Sequence, residues 1–407
     1  MDRRNFVKTV GLATLAAPQW PTLASTPQAG EPIVVLLFLR GGVDALHLCA
    51  PTSDRAYADA RSPNLRAGEK PGLALKNPLG GLSFHLHEAA KPLQELYDSN
   101  QLAIVHACGL TNGTRSHFEA MDLMERGLAQ KRNTDQGWLA RCLAARPPAA
   151  GQLPAVAMGD ALPLAWLGSP QAVSLSTVAD FAVGGDPKVA GILRSWYQQN
   201  APLDRTAQQT LQTARLLQAK LPRHPNGEAK KYQPGTAYPT EWFVNGLSEQ
   251  LKNLAQLIKL DLGVQVATVD FGGWDTHEAQ AYHFPQLVGG LARAVAAFYN
   301  DLSAYHPRLT VLVMSEFGRR LKANRSGGTD HGLGGAMLLL GQGVRGGRMY
   351  GTWPGLATEQ LDNGVDLAVT TDYRTVLGEL AAKRLGNPPI GDLFPGFAMP
   401  VPLGLLV

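Results

Sequence analysis

Cysteine is scarce in this chain: Cys49, Cys108 and Cys142 are the only three in 407 residues. So few exclude a disulfide framework, and their spacing matches no metal knuckle. An odd number cannot all pair within one chain; one bridge can form in an oxidising compartment, and spacing does not choose it. Charge is sparse as well, at 17% of residues, with no lysine-rich or arginine-rich block. That absence excludes the electrostatic footprint of a nucleic-acid partner. No apolar run reaches the roughly 18 residues that a membrane-spanning helix needs. What the chain does have is 45% hydrophobic residues, enough to bury a large core as one extended domain or two. It shows no internal repeat.

The first residues, MDRRNFVKTVGLATLAAPQWPTLAS, place Arg3, Arg4, Phe6 and Lys8 before a short apolar run. This pattern resembles a twin-arginine export signal, expected to span residues 1–24 with cleavage after Ala24, where Thr22 and Ala24 stand at minus three and minus one. The expectation is a location outside the cytoplasm, periplasmic or secreted, with no transmembrane anchor left after signal removal and a nearly balanced net charge. Twin-arginine substrates fold before export, and many carry a cofactor already in place, which favours a metal.

Five apolar runs organise the rest: Ile33–Leu39, Leu102–Ala107, Val264–Phe271, Leu309–Met314 and Ala336–Gly341. Nearly continuous apolarity, rather than alternation, is what strands covered on both faces require. Helical spacing lies between them, in Leu247, Leu251, Leu254 and Ile258, in Leu287 to Tyr299, and in Val376, Leu377 and Leu380 before Gly386. The order predicts an α/β fold, a sandwich with a mainly parallel sheet, over residues 31–407. Residues 151–239 break the rhythm with LDRTAQQTLQTARLLQAKL and then PRHPNGEAKKYQPGTAYP. They are expected to form an inserted helical cap or subdomain with a loop.

In such a sheet, ligands bind beyond the carboxyl ends of the strands. The first run is followed by RGGVDALH with Asp44, and the second by TRSHFEAMD with Thr114, Arg115, Ser116 and His117. The third leads into GGWDTHEAQ with Asp275 and His277, and the fourth into SEFGRR with Glu316 and Arg319, then SGGTDHG with Asp330 and His331. Asp and His together suit a divalent transition ion, which neutralises an oxyanion and lowers the pKa of water. A hydroxyl at a helix start sits where backbone N–H groups favour an anion, and arginine offers that anion a bidentate clamp. These parts suit transfer or hydrolysis of a phosphoryl or sulfuryl ester.

RGGVDALH, TRSHFEAMD, FGGWDTH, SEFGRR and GGTDHG, in this order behind an arginine pair, resemble the bacterial domain-of-unknown-function family 1501 over nearly the whole mature chain. That family is similar to the alkaline phosphatase and sulfatase superfamily, so the resemblance implies a three-layer α/β/α sandwich with a metal site at the strand ends. It implies metal ligands at Asp44, Asp275, His277, Glu316 and His331, a nucleophile at Ser116 or Thr114 beside Arg115, and additional roles for Asp330, His117 and Arg319. The implied cofactor is a divalent metal such as zinc, calcium or manganese. The implied partner is a small anionic ester or a phosphorylated or sulfated polymer. Phe317 departs from the superfamily, standing where a histidine for a second metal is expected, and the Ser116 segment lacks the Cys/Ser-X-Pro-X-Arg signature of sulfatases. The main reading is an exported metal-dependent hydrolase. The alternative is a catalytically inactive exported binding or assembly protein that keeps the fold and docks an exported partner protein.

Overall fold

The computed structural model describes residues 30–67, 72–144, 152–178, 181, 187–198 and 202–407. The expected signal, 1–24, lies outside these residues. In chain order the first seven strands are β1 (Ile33–Leu39), β2 (Cys49–Ala50), β3 (Leu73–Ala74), β4 (His85–Leu86), β5 (Leu102–Gly109), β6 (Ala155–Met158) and β7 (Ala172–Leu175). The remaining strands are β8 (Val266–Phe271), β9 (Leu309–Ser315), β10 (Arg319–Ala323), β11 (Thr329–His331), β12 (Gly335–Leu340), β13 (Arg348–Tyr350) and β14 (Thr371–Asp372).

The central sheet runs β13-β5-β12-β9-β1-β8-β6-β7, with β14 also paired to β5. Every neighbouring pair is parallel except those of β12, which is antiparallel to both β5 and β9. This is a mixed α/β fold on a large, mainly parallel sheet. Separate small sheets join β10 to β11 and β2 to β4 and β3.

Strand β1 shows why three layers form. Successive side chains of a strand point to opposite faces, and all seven of its residues are buried. Ile33, Val35, Leu37 and Leu39 enter one core with Leu93, Leu251, Leu254, Ile258, Leu291 and Val295. Those partners come from helices Lys91–Asp98, Asn245–Lys259 and Gln280–Asp301. Val34, Leu36 and Phe38 enter a second core with Leu123, Leu139, Val376, Leu377 and Leu380, carried on helices His117–Arg126, Trp138–Ala144 and Tyr373–Arg384. Each fully buried aliphatic side chain contributes about 1.5–3 kcal/mol, so both faces demand cover.

Residues 151–239 differ from the expectation of a helical cap. Helices Pro187–Trp196 and Pro202–Lys220 are present, but β6 and β7 extend the central sheet. The reason lies in their sequences: AVAM and AVSL are four-residue runs weak in β-branched residues, too short to show a period. They are strands because β6 pairs along β8, from Ala155 opposite Val266 to Met158 opposite Val269.

All three cysteines are buried, and no disulfide links them. Cys49 lies in the first core, while Cys108 and Cys142 lie in the second. No helix among the described residues is long and apolar enough to cross a membrane.

The sheet register aligns the ends that matter. Leu39 pairs with Phe271 on one side and Ser315 on the other, so β1, β8 and β9 release their loops at one edge. β5 is antiparallel to β12, as β9 is, and so points the same way and delivers the His117 helix to that edge.

Candidate metal centre

The loop leaving β8 carries Asp275 and His277, and the loop leaving β5 ends at Ser116, the N-cap of helix His117–Arg126. His331 closes β11, where it lies directly opposite Arg319 of β10. The structure brings these together. His331 Nε2 is 3.1 Å from Asp275 Oδ1 and 2.8 Å from His277 Nε2, and His277 Nε2 is 3.0 Å from the same Asp275 oxygen. His117 Nε2 lies 3.4 Å from Asp275 Oδ2. One donor atom each from His117, Asp275 and His331 lies within 4.8 Å of the others, a grouping able to hold an ion.

The outer nitrogens of the three rings determine what the inner ones can do. His331 Nδ1 is 2.8 Å from the Arg115 carbonyl. A carbonyl only accepts, so Nδ1 carries the proton and the neutral ring directs a lone pair inward from Nε2. His117 Nδ1 donates in the same way to Glu316 Oε1 at 2.8 Å, and His277 Nδ1 faces Asp330 Oδ1 at 3.4 Å. An oxygen behind each ring is the arrangement that orients metal-binding histidines and raises their basicity. His117 Nε2 is buried with no hydrogen-bond partner, and two inward Nε2 atoms face each other at 2.8 Å. A donor set of this kind can hold a cation.

Electrostatics agree with this division. Burial works to raise the Asp275 carboxyl, but the Arg319 guanidinium and His331 outweigh it and hold it at about 2. The hydrogen bond to Glu316 raises His117, whereas burial lowers His331. Burial also opposes ionisation of Glu316, yet His117 and the Gly41 N–H keep it below the usual carboxylate range. Asp330 is lowered first by its bond from Asn324, which donates to Oδ1 at 3.0 Å.

Several expected site residues stand elsewhere. Glu316 is wholly buried, with Oε1 accepting from His117 and from Gly41 N at 2.8 Å and Oε2 2.9 Å from Ser315 Oγ. It is placed behind His117. Asp44 caps the helix Ala45–Leu48 and is fully buried. Its oxygens bind Arg61 at 2.5 and 3.1 Å, and Gln280 Nε2 donates to it at 2.7 Å. A guanidinium therefore neutralises this carboxylate. Arg115 is spent on Asp366. Thr114 donates to Glu119 at 2.8 Å, whereas Ser116 is exposed and its side chain makes no capping bond. Arg319 is buried and binds Asp275 Oδ1 at 2.5 Å.

Phe317 is buried against the His117 and His331 rings, at 4.8 and 4.9 Å between centroids. Gly42 faces it with a φ of +68°, and a Cβ there would come within 2.4 Å of the Phe317 ring. Apolar volume thus occupies the flank of the histidine group. Sequence reasoning missed Arg61, Gln280, Asn324 and Asp366. Gln280 ends the GGWDTHEAQ stretch and Asn324 stands two residues before SGGTDHG, whereas Arg61 and Asp366 lie near no motif.

A family model described as "Protein of unknown function (DUF1501)" matches residues 112–383. The chain belongs to this family. The DUF1501 match includes His117, Asp275, His277, Glu316 and His331. No curated protein matches the chain. Among solved structures, the chain is similar to the PsFucS1 sulfatase from Pseudoalteromonas sp., with 13% identity, TM-score 0.35 and coverage of 90% of this chain and 70% of that one. The phosphonate monoester hydrolase SpPMH from Silicibacter pomeroyi gives 12% identity, TM-score 0.34 and coverage of 89% and 73%. The C-terminal periplasmic domain of EcEptC from Escherichia coli, in complex with Zn, gives 10%, TM-score 0.35 and coverage of 77% and 73%.

Two outcomes follow for this DUF1501 protein. Asp44→Asn leaves the Arg61 charge buried without its counter-ion and is expected to cost about 3–5 kcal/mol in urea unfolding, with bound metal unchanged. The Asp275 carboxyl, held at about 2 against an ordinary 3.8, stabilises the folded state above its unfolded value and loses that contribution as pH falls through the folded one. The thermal midpoint of chelator-treated protein is therefore expected to drop more steeply below about pH 4 in the parent than in Asp275→Asn.

Proposed function

We propose that this protein is an exported, metal-dependent hydrolase of a phosphate or sulfate ester, built around a single divalent cation. The observation that carries this reading is the inward convergence of the His117 and His331 Nε2 atoms and the Asp275 carboxylate, with His277 Nε2 beside Asp275 and His331 and each ring backed by an oxygen. His117, His277, His331 and Asp275 would hold the ion; Glu316, Asp330 and the Arg115 carbonyl keep the rings in register. Zinc fits a nitrogen-rich set of this kind better than calcium. A bound divalent ion supplies charge to polarise an ester oxygen and to stabilise the negative charge that develops on it.

The chain's own groups complete the chemistry. Ser116 presents a hydroxyl at a helix N-terminus, where the first backbone N–H groups favour an anionic ester. With its oxygen unbonded, Ser116 is the nucleophile in this reading, and Thr114, tied to Glu119, holds the loop. His117, whose Nε2 has no hydrogen-bond partner, lies one residue beyond Ser116. Arg319 keeps Asp275 ionised, so the carboxylate remains a ligand rather than a proton donor. Phe317 against the His117 and His331 rings, and Asp44 held by Arg61, supply no ligand for a second cation. An open cleft of about 530 Å³ reaches this centre and shares Asp275 and His277 with it, as access for a substrate requires. The arginine pair at Arg3 and Arg4 supports export by the twin-arginine route.

Elemental analysis of the purified exported protein tests the reading. The parent is expected to hold roughly one divalent ion per chain, and His331→Ala and Asp275→Ala to lose it. Glu316→Gln is expected to weaken metal affinity about 10–100-fold by releasing the His117 ring. Ser116→Ala should keep the metal and abolish turnover of aryl phosphates, diesters or sulfates. A parent with no metal, or one whose metal is untouched by both ligand changes, overturns the proposal.

A further inference from the structure

The cleft beside the histidines has a second wall that the metal chemistry does not use. Trp242 is 85% exposed and lines this cleft with Phe243, Gly272, Glu278, His283 and Gln286. A large indole left in water is unusual unless something covers it.

Its turn is firmly built. Val244 N and Asn245 N both bond the Glu241 carbonyl, at 2.9 and 2.8 Å, and Glu241 is clamped by Arg293 at 2.6 Å. Gly290 lets the turn lie against helix Gln280–Asp301, because a Cβ there would come within 2.9 Å of Val244 Cβ. Phe243 meets Trp242 edge to face, with centroids 5.8 Å apart. The exposed indole is therefore a preorganised platform. Elsewhere in the same cleft the backbone is bare, since nothing lies within 4 Å of a Cβ built at Gly272.

The polar lining selects the occupant. Glu278, His283 and Gln286 offer hydrogen bonds suited to hydroxyl groups. Among the described residues that line the cleft there is no lysine or arginine, and the carboxylates of Asp275 and Glu278 repel a polyanion. A nucleic-acid strand is disfavoured, whereas a neutral ring with an apolar face and a hydroxylated rim matches both walls.

We infer that Trp242 forms a stacking subsite for a pyranose ring, so that the ester carried to the metal centre is an ester of a sugar. This rests on the ester-hydrolase reading for its reaction but not for its binding. Metal-loaded full-length protein is titrated calorimetrically with D-glucose 6-sulfate and D-glucose 6-phosphate, and with methyl sulfate and methyl phosphate as ring-free controls. The sugar esters are expected to bind about tenfold more tightly than the methyl esters, as one stacked ring allows. Trp242→Ala should erase that preference, and Trp242→Phe should retain most of it. Metal content, thermal midpoint and methyl-ester binding should stay at parent values. Equal binding of sugar and methyl esters by the parent overturns the subsite, as does a Trp242-dependent gain shown by phenyl sulfate but not by the sugars. Sugar-ester binding of the expected kind without hydrolysis sinks the proposed reaction and leaves the subsite standing.

Discussion

The buried guanidinium of Arg319 is the constraint on which the candidate site depends. It donates to the carbonyls of Gly42 at 2.6 Å, Gly41 at 2.5 Å, Thr329 at 2.8 Å and Trp274 at 3.2 Å, and to Asp275. A cation removed from water is tolerated only when its donors are satisfied, and this one finds its acceptors on three different loops. The exits of β1 and β8 and the start of β11 are consequently locked together by one side chain. Glycines make the approach feasible: a Cβ on Gly318 would come within 2.0 Å of the Gly334 carbonyl, and one on Gly328 within 2.3 Å of the Thr276 carbonyl.

A second buried charge node stands alongside. Asp44 and Arg61 are both wholly buried, and Gln280 joins them to Thr329 Oγ1, which donates to Gln280 Oε1 at 2.7 Å. The two nodes meet at Thr329, whose carbonyl serves Arg319 and whose hydroxyl serves Gln280. One aspartate at a strand end is thereby used for architecture, while the other stands among His117, His277 and His331. Residue type does not separate the two, and neither does a guanidinium, since Arg61 binds Asp44 as Arg319 binds Asp275; burial does, Asp44 being wholly enclosed and the Asp275 side chain half exposed.

The same distinction explains what could be read in the chain. β1, β5, β8 and β9 were legible because strands buried on both faces need unbroken apolar runs. The residues after them were legible because loops at one sheet edge must converge, and Asp275, His277, His331 and His117 do so. The role of Asp44 was not legible, since Arg61 lies outside any motif and reaches it only through the fold. β6 and β7 were hidden by their brevity and by alanine. The antiparallel course of β12 leaves no mark on an apolar run, whose composition is the same in either direction. Trp242 sits in a turn, where no periodicity flags a side chain.

The three sulfur atoms sealed in the core carry a different message. Burial pushes the Cys49 and Cys108 thiols up, away from the thiolate form in which sulfur exchanges and oxidises. Because Cys49 lies across the sheet from the other two, no bridge is required to hold the layers. The architecture is indifferent to the redox potential around it: the same packing is available in a reducing compartment as in an oxidising one.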